Sequence, residues 1–345
     1  MGGLKQKKLY IEWLRIIAIL LVIYNHTRAW GFDLYQVTGE VSSKWLSVVM
    51  VPLCKIAVPI FLMIAGDNLL ERQESLKELF RKRVSRYIII IVLFSTVQFF
   101  RYVRTGKSIF SIENWIKAVV AESAIEPYWF LYLYLGFLLI LPFLRKMARQ
   151  LEKKDFVYLF TLMTVYNILT AVGCFSGIMV NGNVFVLVAV NVFFYPLIGY
   201  GIDKYGDSGE WKKYSLISMG ALGAALITGT VYNRMYPEGN IVFVRLLQNF
   251  TPLLACGIFG LFKTLCRQKE TGLAKLLAAL GGTAFGIYLT EDIIRNQVEK
   301  ILVKTQVTDY MNDFFVAVVF VALTFLIGVC IIYPLKKLPI IRKLL

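Results

Sequence analysis

Phe314–Ile332 reads FFVAVVFVALTFLIGVCII, a run with no charged residue and only Thr324 as a hydrogen-bonding side chain. As a helix rising about 1.5 Å per residue, it covers the roughly 30 Å hydrocarbon layer of a bilayer. Lipid offers no water to a bare peptide group, so such a run must satisfy its own backbone as a helix. A barrel strand would instead alternate apolar and polar residues over about 10 positions, and this run is apolar on every face. Similar stretches recur along the 345 residues, at about 10–29, 45–69, 87–103, 126–144, 156–177, 184–202, 214–231, 243–262 and 276–294, with the quoted one inside 312–333. Hydrophobic residues make up 58% of the chain, against about 45–50% in soluble domains. These features predict an all-α polytopic membrane helical bundle with about ten transmembrane helices. No Pro/Gly/Ser-rich linker, low-complexity tract or internal repeat divides it, so residues 1–345 read as one membrane domain.

The net charge of +16 does not point to nucleic acid, because the basic residues follow the predicted topology. With the N-terminus inside, cytoplasmic segments hold 25 Lys and Arg and the outer segments hold 8. That bias predicts both termini in the cytoplasm. The basic N-terminus resembles a signal peptide, but Arg15 interrupts the apolar run and no small-residue cleavage site follows, so it reads as a retained first helix. Cys54, Cys174, Cys256, Cys266 and Cys330 are scattered without CxxC spacing, which predicts packing residues and no metal site. Residues 104–125 have an amphipathic pattern suited to the interface or to a dip back into the bundle.

Several polar groups stand out against this background. His26, the only histidine, follows Arg15 by eleven residues, so on a helix the two share a face about 16 Å apart. Two readings fit: a snorkelling arginine above a hydrogen-bonded histidine, or an ionisable pair with a task. Arg83 and Arg86 sit three apart at the inner end of the third span, a geometry that grips phosphate as readily as it sets topology. Trp129 and Tyr132 fit an interfacial aromatic belt. Glu291 and Arg295 are four apart and are spaced to pair along one helix. Asp67 is expected to pair with nearby arginines.

Taken in order, these residues resemble the membrane-bound acyltransferase 3 family. Arg15 to His26 looks like its Arg-x10-His motif, and Arg83-Val84-Ser85-Arg86 like its RxxR motif. Val58–Gly66 is similar to its VPxFFxxSG segment, with Ala65 where serine is common. Tyr128–Tyr132 resembles its WFLY segment, and Phe285–Leu289 its FGIYL segment, after which Thr290-Glu291-Asp292 stands where many members have histidine. The resemblance implies an O-acyltransferase of the cytoplasmic membrane, moving acyl, usually acetyl, from acyl-CoA to a hydroxyl of an extracytoplasmic or lipid-linked acceptor such as an envelope carbohydrate. It implies acyl-CoA as donor substrate and no permanently bound cofactor. His26 would be the catalytic base, Arg15, Arg83 and Arg86 the donor site, and Trp129, Tyr132, Glu122, Glu126 and Glu291 the acceptor site. The alternative is a transporter of a small polar solute, which also suits buried Lys55, Arg245 and His26. That alternative is weakened by the absence of repeats and of Gly/Pro-broken span pairs from the sequence pattern.

Overall fold

The computed structural model describes residues 8–36, 42–121, 123–237, 240–266, 272–306 and 311–344. Among these residues every regular element is helical. The long helices are α1 (Leu9–Asn25), α2 (Ser42–Lys55), α3 (Ala57–Leu69), α4 (Leu76–Arg104), α5 (Trp129–Gln150), α6 (Lys153–Ser176), α7 (Asn191–Tyr205), α8 (Trp211–Met235), α9 (Asn240–Asn249), α10 (Thr251–Leu265), α11 (Gly272–Gly281), α12 (Ala284–Lys304) and α13 (Asp313–Leu335). Local chemistry sets many of their ends. Ser75 and Glu78 form a reciprocal capping box at the start of α4, the Asn312 side chain caps α13, and Gly177 closes α6 at φ 73°.

Among the described residues seven helical segments are long and apolar enough to cross a membrane, and α11 with α12, bent by 52°, makes an eighth if the pair forms one span. The two other expected spans are present as shorter helices: α1 has 17 residues and α7 has 15. Both lie inside the bundle. Leu14, Ile19 and Ile23 of α1 and Phe194 and Leu197 of α7 are fully buried, and α1 packs on α2, α3, α10, α11, α12 and α13. The outer helices carry the exposed apolar side chains, such as Ile89 and Phe100 on α4, Phe143 on α5 and Leu326 on α13.

The closest helix pair is α3 with α7. A Cβ on Gly66 would lie 1.9 Å from the Pro196 carbonyl oxygen, and one on Gly199 would lie 2.4 Å from that of Met63. Two backbones this close need small residues at the crossing. Gly66→Val should therefore cost at least the roughly 1–3 kcal/mol typical of overpacking, read as a lowered melting temperature in detergent. An unchanged melting temperature would show that the crossing relaxes.

Three expectations need correction. The first helix ends at Asn25, not near 29, because the Thr27 hydroxyl bonds the Tyr24 carbonyl at 2.7 Å and receives the Phe32 amide at 2.9 Å, leading the chain into two 3₁₀ turns. Asp67 pairs with Lys8 at 2.5 Å and not with an arginine, because the start of α1 lies against the C-terminal end of α3; Lys8 also bonds Asp203 at 2.5 Å. Finally, two spans each carry a one-residue interruption. Lys44–Leu69 is interrupted at Ile56 and Ile241–Leu265 at Phe250. Pro59 and Pro252 lack an N–H, so the carbonyls of Lys55 and Gln248 lose their usual partners four residues on.

The 104–125 region packs a short helix, Ile112–Ile116, against the side of α4. The Trp115 indole donates to the Thr96 hydroxyl at 3.0 Å, while Ile109, Ile112 and Val120 stay exposed. An exposed apolar edge of that kind suits the interface.

Candidate active site

Two cavities penetrate the bundle and share a wall. The first, about 460 Å³, is lined by Arg15, Arg72, Lys82, Arg83, Arg86 and Lys336, with no acidic residue among its lining. Aromatic rings floor it: Tyr87 stacks on Tyr134 at 4.8 Å and on Phe285 at 5.8 Å. Arg83 sits on a π-helical turn, Phe80–Val84, which runs directly into the regular part of α4. That turn and the next carry Arg83 and Arg86 to the same cavity.

Each arginine is held from behind. Arg83 Nε donates to Glu74 at 2.9 Å, and Arg86 Nε donates to the Leu344 carbonyl at 3.1 Å. The two terminal nitrogens of Arg83 make no hydrogen bond among the described residues. Arg145 also donates to Glu74, at 2.8 Å. Burial alone would raise the Glu74 carboxyl, but hydrogen bonds from Arg83 and Arg145 outweigh it and hold the group below its ordinary value. The resulting stabilisation is present above the ordinary carboxylate pKa and is lost only as pH falls through the lowered one. At neutral pH the anchor is intact.

The second cavity, about 500 Å³, is lined by His26, Lys55, Glu126 and Trp129 among others. Its wall with the first consists of Phe61, Phe130 and Tyr288, which line both. Phe130 packs against Phe61 at 6.1 Å and edge-on to Tyr288 at 5.7 Å. A third space of about 450 Å³ shares Asn25, His26, Lys55, Glu126 and Pro127 with the second, so His26 faces both.

His26 is the C-terminal cap of α1, at φ −96° and ψ 5°, and not a mid-helix residue. Its Nδ1 lies 3.2 Å from Glu291 Oε2. Glu291 is 1% exposed and lies 3.4 Å from Arg295 Nε. A buried carboxylate beside a guanidinium is an acceptor, so it draws the imidazole proton to Nδ1 and leaves the Nε2 lone pair available. Arg295 also donates to the His26 carbonyl at 3.0 Å and to Asp292 at 2.6 Å, and Arg101 of α4 completes the network through Asp292. Two tyrosines brace α12 behind it. Tyr128 donates to the Leu289 carbonyl at 2.6 Å and Tyr288 to the Pro127 carbonyl at 2.5 Å.

The expected site residues thus divide. Arg15, Arg83 and Arg86 meet in the first cavity; His26, Trp129 and Glu126 meet in the second. Tyr132 lines neither, since its hydroxyl donates to the Val119 carbonyl at 2.8 Å. Glu291 lines neither and holds His26 from behind, so it is not placed to touch an acceptor. Glu122 lies outside the described residues. Arg72, Lys82 and Lys336 join the basic cavity although nothing in their spacing separates them from topology charges.

A cavity rich in basic side chains, an aromatic wall and a histidine held by a buried carboxylate beyond it lie together inside a bundle of apolar helices. A family model described as an acyltransferase domain matches residues 8–333. The chain belongs to the acyltransferase 3 family and is a multi-pass membrane acyltransferase. No curated protein and no solved structure matches it significantly.

Proposed function

We propose that the chain is an acyl-CoA-dependent O-acyltransferase, acetyl-CoA being the donor, that modifies a hydroxyl of an extracytoplasmic or lipid-linked carbohydrate. The observation that carries this reading is the shared wall: six basic side chains on one side, of which Arg15, Lys82 and Arg83 are backed by Glu12, Glu78 and Glu74, and His26, held by Glu291, on the other. In this reading the chain crosses the cytoplasmic membrane ten times with both termini inside, which opens the basic cavity to the cytoplasm where acyl-CoA is made. The CoA phosphates dock on Arg15, Arg83 and Arg86, and the thioester reaches past Phe61 and Phe130. His26 Nε2 takes the proton of the acceptor hydroxyl as its oxygen attacks the thioester carbonyl. The tetrahedral intermediate then expels the CoA thiolate, which takes up a proton, and an oxygen ester remains.

Membranes carrying the protein should transfer label from [14C]acetyl-CoA into a base-labile ester. Losing a charge-assisted phosphate contact is worth about 1.5–3 kcal/mol, so Arg86→Ala should weaken acetyl-CoA binding roughly ten-fold or more. Arg83→Ala should do the same, although it also removes one of the two cations held by Glu74. Unchanged donor binding in both variants would return the pair to a topological role. Solute uptake without transfer would favour the transporter alternative.

A further inference from the structure

The second cavity carries a set of neutral hydrogen-bonding side chains that the acyl-transfer step does not use: Asn25, Asn167, Gln248, Asn249 and Thr251. All but Asn25 are absent from the adjoining third space, which is lined by Arg28, Asp33, Asp292 and Arg295. Asn167 and Thr251 are only 2% and 7% exposed, yet Asn167 Oδ1, Thr251 Oγ1 and Asn25 Oδ1 have no hydrogen-bond partner among the described residues. Buried polar atoms are normally paired, and an orphan is costly. Asn25, Asn167 and Thr251 all line the second cavity, and each carries a polar atom that no described residue pairs.

The backbone is irregular beside the same groups. The break at Phe250 separates Asn249 from Thr251, and Pro252 deprives the Gln248 carbonyl of its helical donor. The break at Ile56 leaves Lys55 on the same cavity. At membrane depth, irregular backbone is tolerated where it lines a polar space. Asn249 fixes this wall by donating to the Asn167 carbonyl at 2.6 Å, tying α9 to α6.

Amides and hydroxyls pair with hydroxyl groups in both directions, and Trp129 and Tyr166 on the same wall offer apolar faces to a ring. Within the acyltransferase reading, on which this inference rests, the geometry points to an acceptor subsite for an uncharged polyol: Asn25, Asn167, Gln248, Asn249 and Thr251 bind a neutral sugar residue and present one of its hydroxyls to His26. Lys55 and Glu126 lie where the second cavity meets the third and border the subsite.

Near-isosteric variants test it, because removing an orphaned polar atom does not harm the fold. In native membranes, Asn167→Leu and Thr251→Val should keep the wild-type melting temperature or exceed it and keep the KM for acetyl-CoA. Each should lower [14C]acetyl transfer to the endogenous acceptor about ten-fold, through the lost hydrogen bond. The wild-type label should be released by mild base as acetate, and the labelled acceptor sugar, isolated before that treatment, should pass ion-exchange resins of both signs. Wild-type transfer rates in both variants would overturn the subsite, as would falling melting temperature in step with lost activity, or label on an amine or a charged sugar. If the wild type transfers no label from acetyl-CoA, the acyltransferase reading falls and the subsite with it. Acetyl transfer that both variants retain overturns the subsite alone.

Discussion

His26→Ala is expected to lower acyl transfer by about 10²–10⁴-fold while leaving folding and donor binding intact, the range typical of a lost general base. The separation follows from position. His26 caps α1 and lines the second and third spaces, whereas the basic cavity lies beyond the wall of Phe61, Phe130 and Tyr288. Its side chain makes one polar contact, with Glu291, and the bond from Arg295 goes to its backbone carbonyl, which alanine retains. Acyl-CoA affinity should therefore match the wild type and the loss should fall on kcat. Transfer by the alanine variant at the wild-type rate would remove His26 from the reaction.

Glu291→Gln should reduce kcat by a comparable factor, although Glu291 touches neither cavity. The carboxylate accepts the Nδ1 proton and so exposes the Nε2 lone pair. An amide can donate to Nδ1 instead, which stabilises the tautomer with Nε2 protonated and unable to act as a base. In the serine protease triad, an asparagine at the equivalent position costs about 10⁴-fold through the same change of tautomer. The acceptor and donor KM values should stay near wild type, because Glu291 positions His26 and binds neither substrate. A structural role would read differently. If Glu291→Gln lowers the melting temperature and both KM and kcat decline with the amount of folded protein, the carboxylate serves α12 and not the imidazole.

The fold class was legible from runs such as Phe314–Ile332 because hydrophobic length is a local quantity. Any helix that apolar and that long partitions into lipid wherever its neighbours lie. The same locality explains why Arg83 and Arg86 could be read as a pair, since residues three apart on neighbouring helical turns face the same way. Tyr132 and Trp129 looked alike for the same reason: both are aromatics at the start of α5, and only the packing of the 112–121 segment takes the Tyr132 hydroxyl away from the cavity.

What tertiary structure alone decided lies between residues far apart in the chain. Glu291 reads in sequence as half of an i,i+4 pair with Arg295, and the pair exists. Its contact with His26 spans 265 positions and depends on how α12 meets the end of α1. The link of Asn249 to Asn167 spans 82 positions, and neutral amides in apolar spans carry no periodic signal that would mark them as a wall. Sequence by itself determined which segments are helices and which charges they bear, because backbone satisfaction in lipid leaves no other choice. Which polar groups converge on one cavity was set by the packing angles of helices whose apolar surfaces are nearly interchangeable, and close approaches such as Gly66 on Pro196 select among those angles.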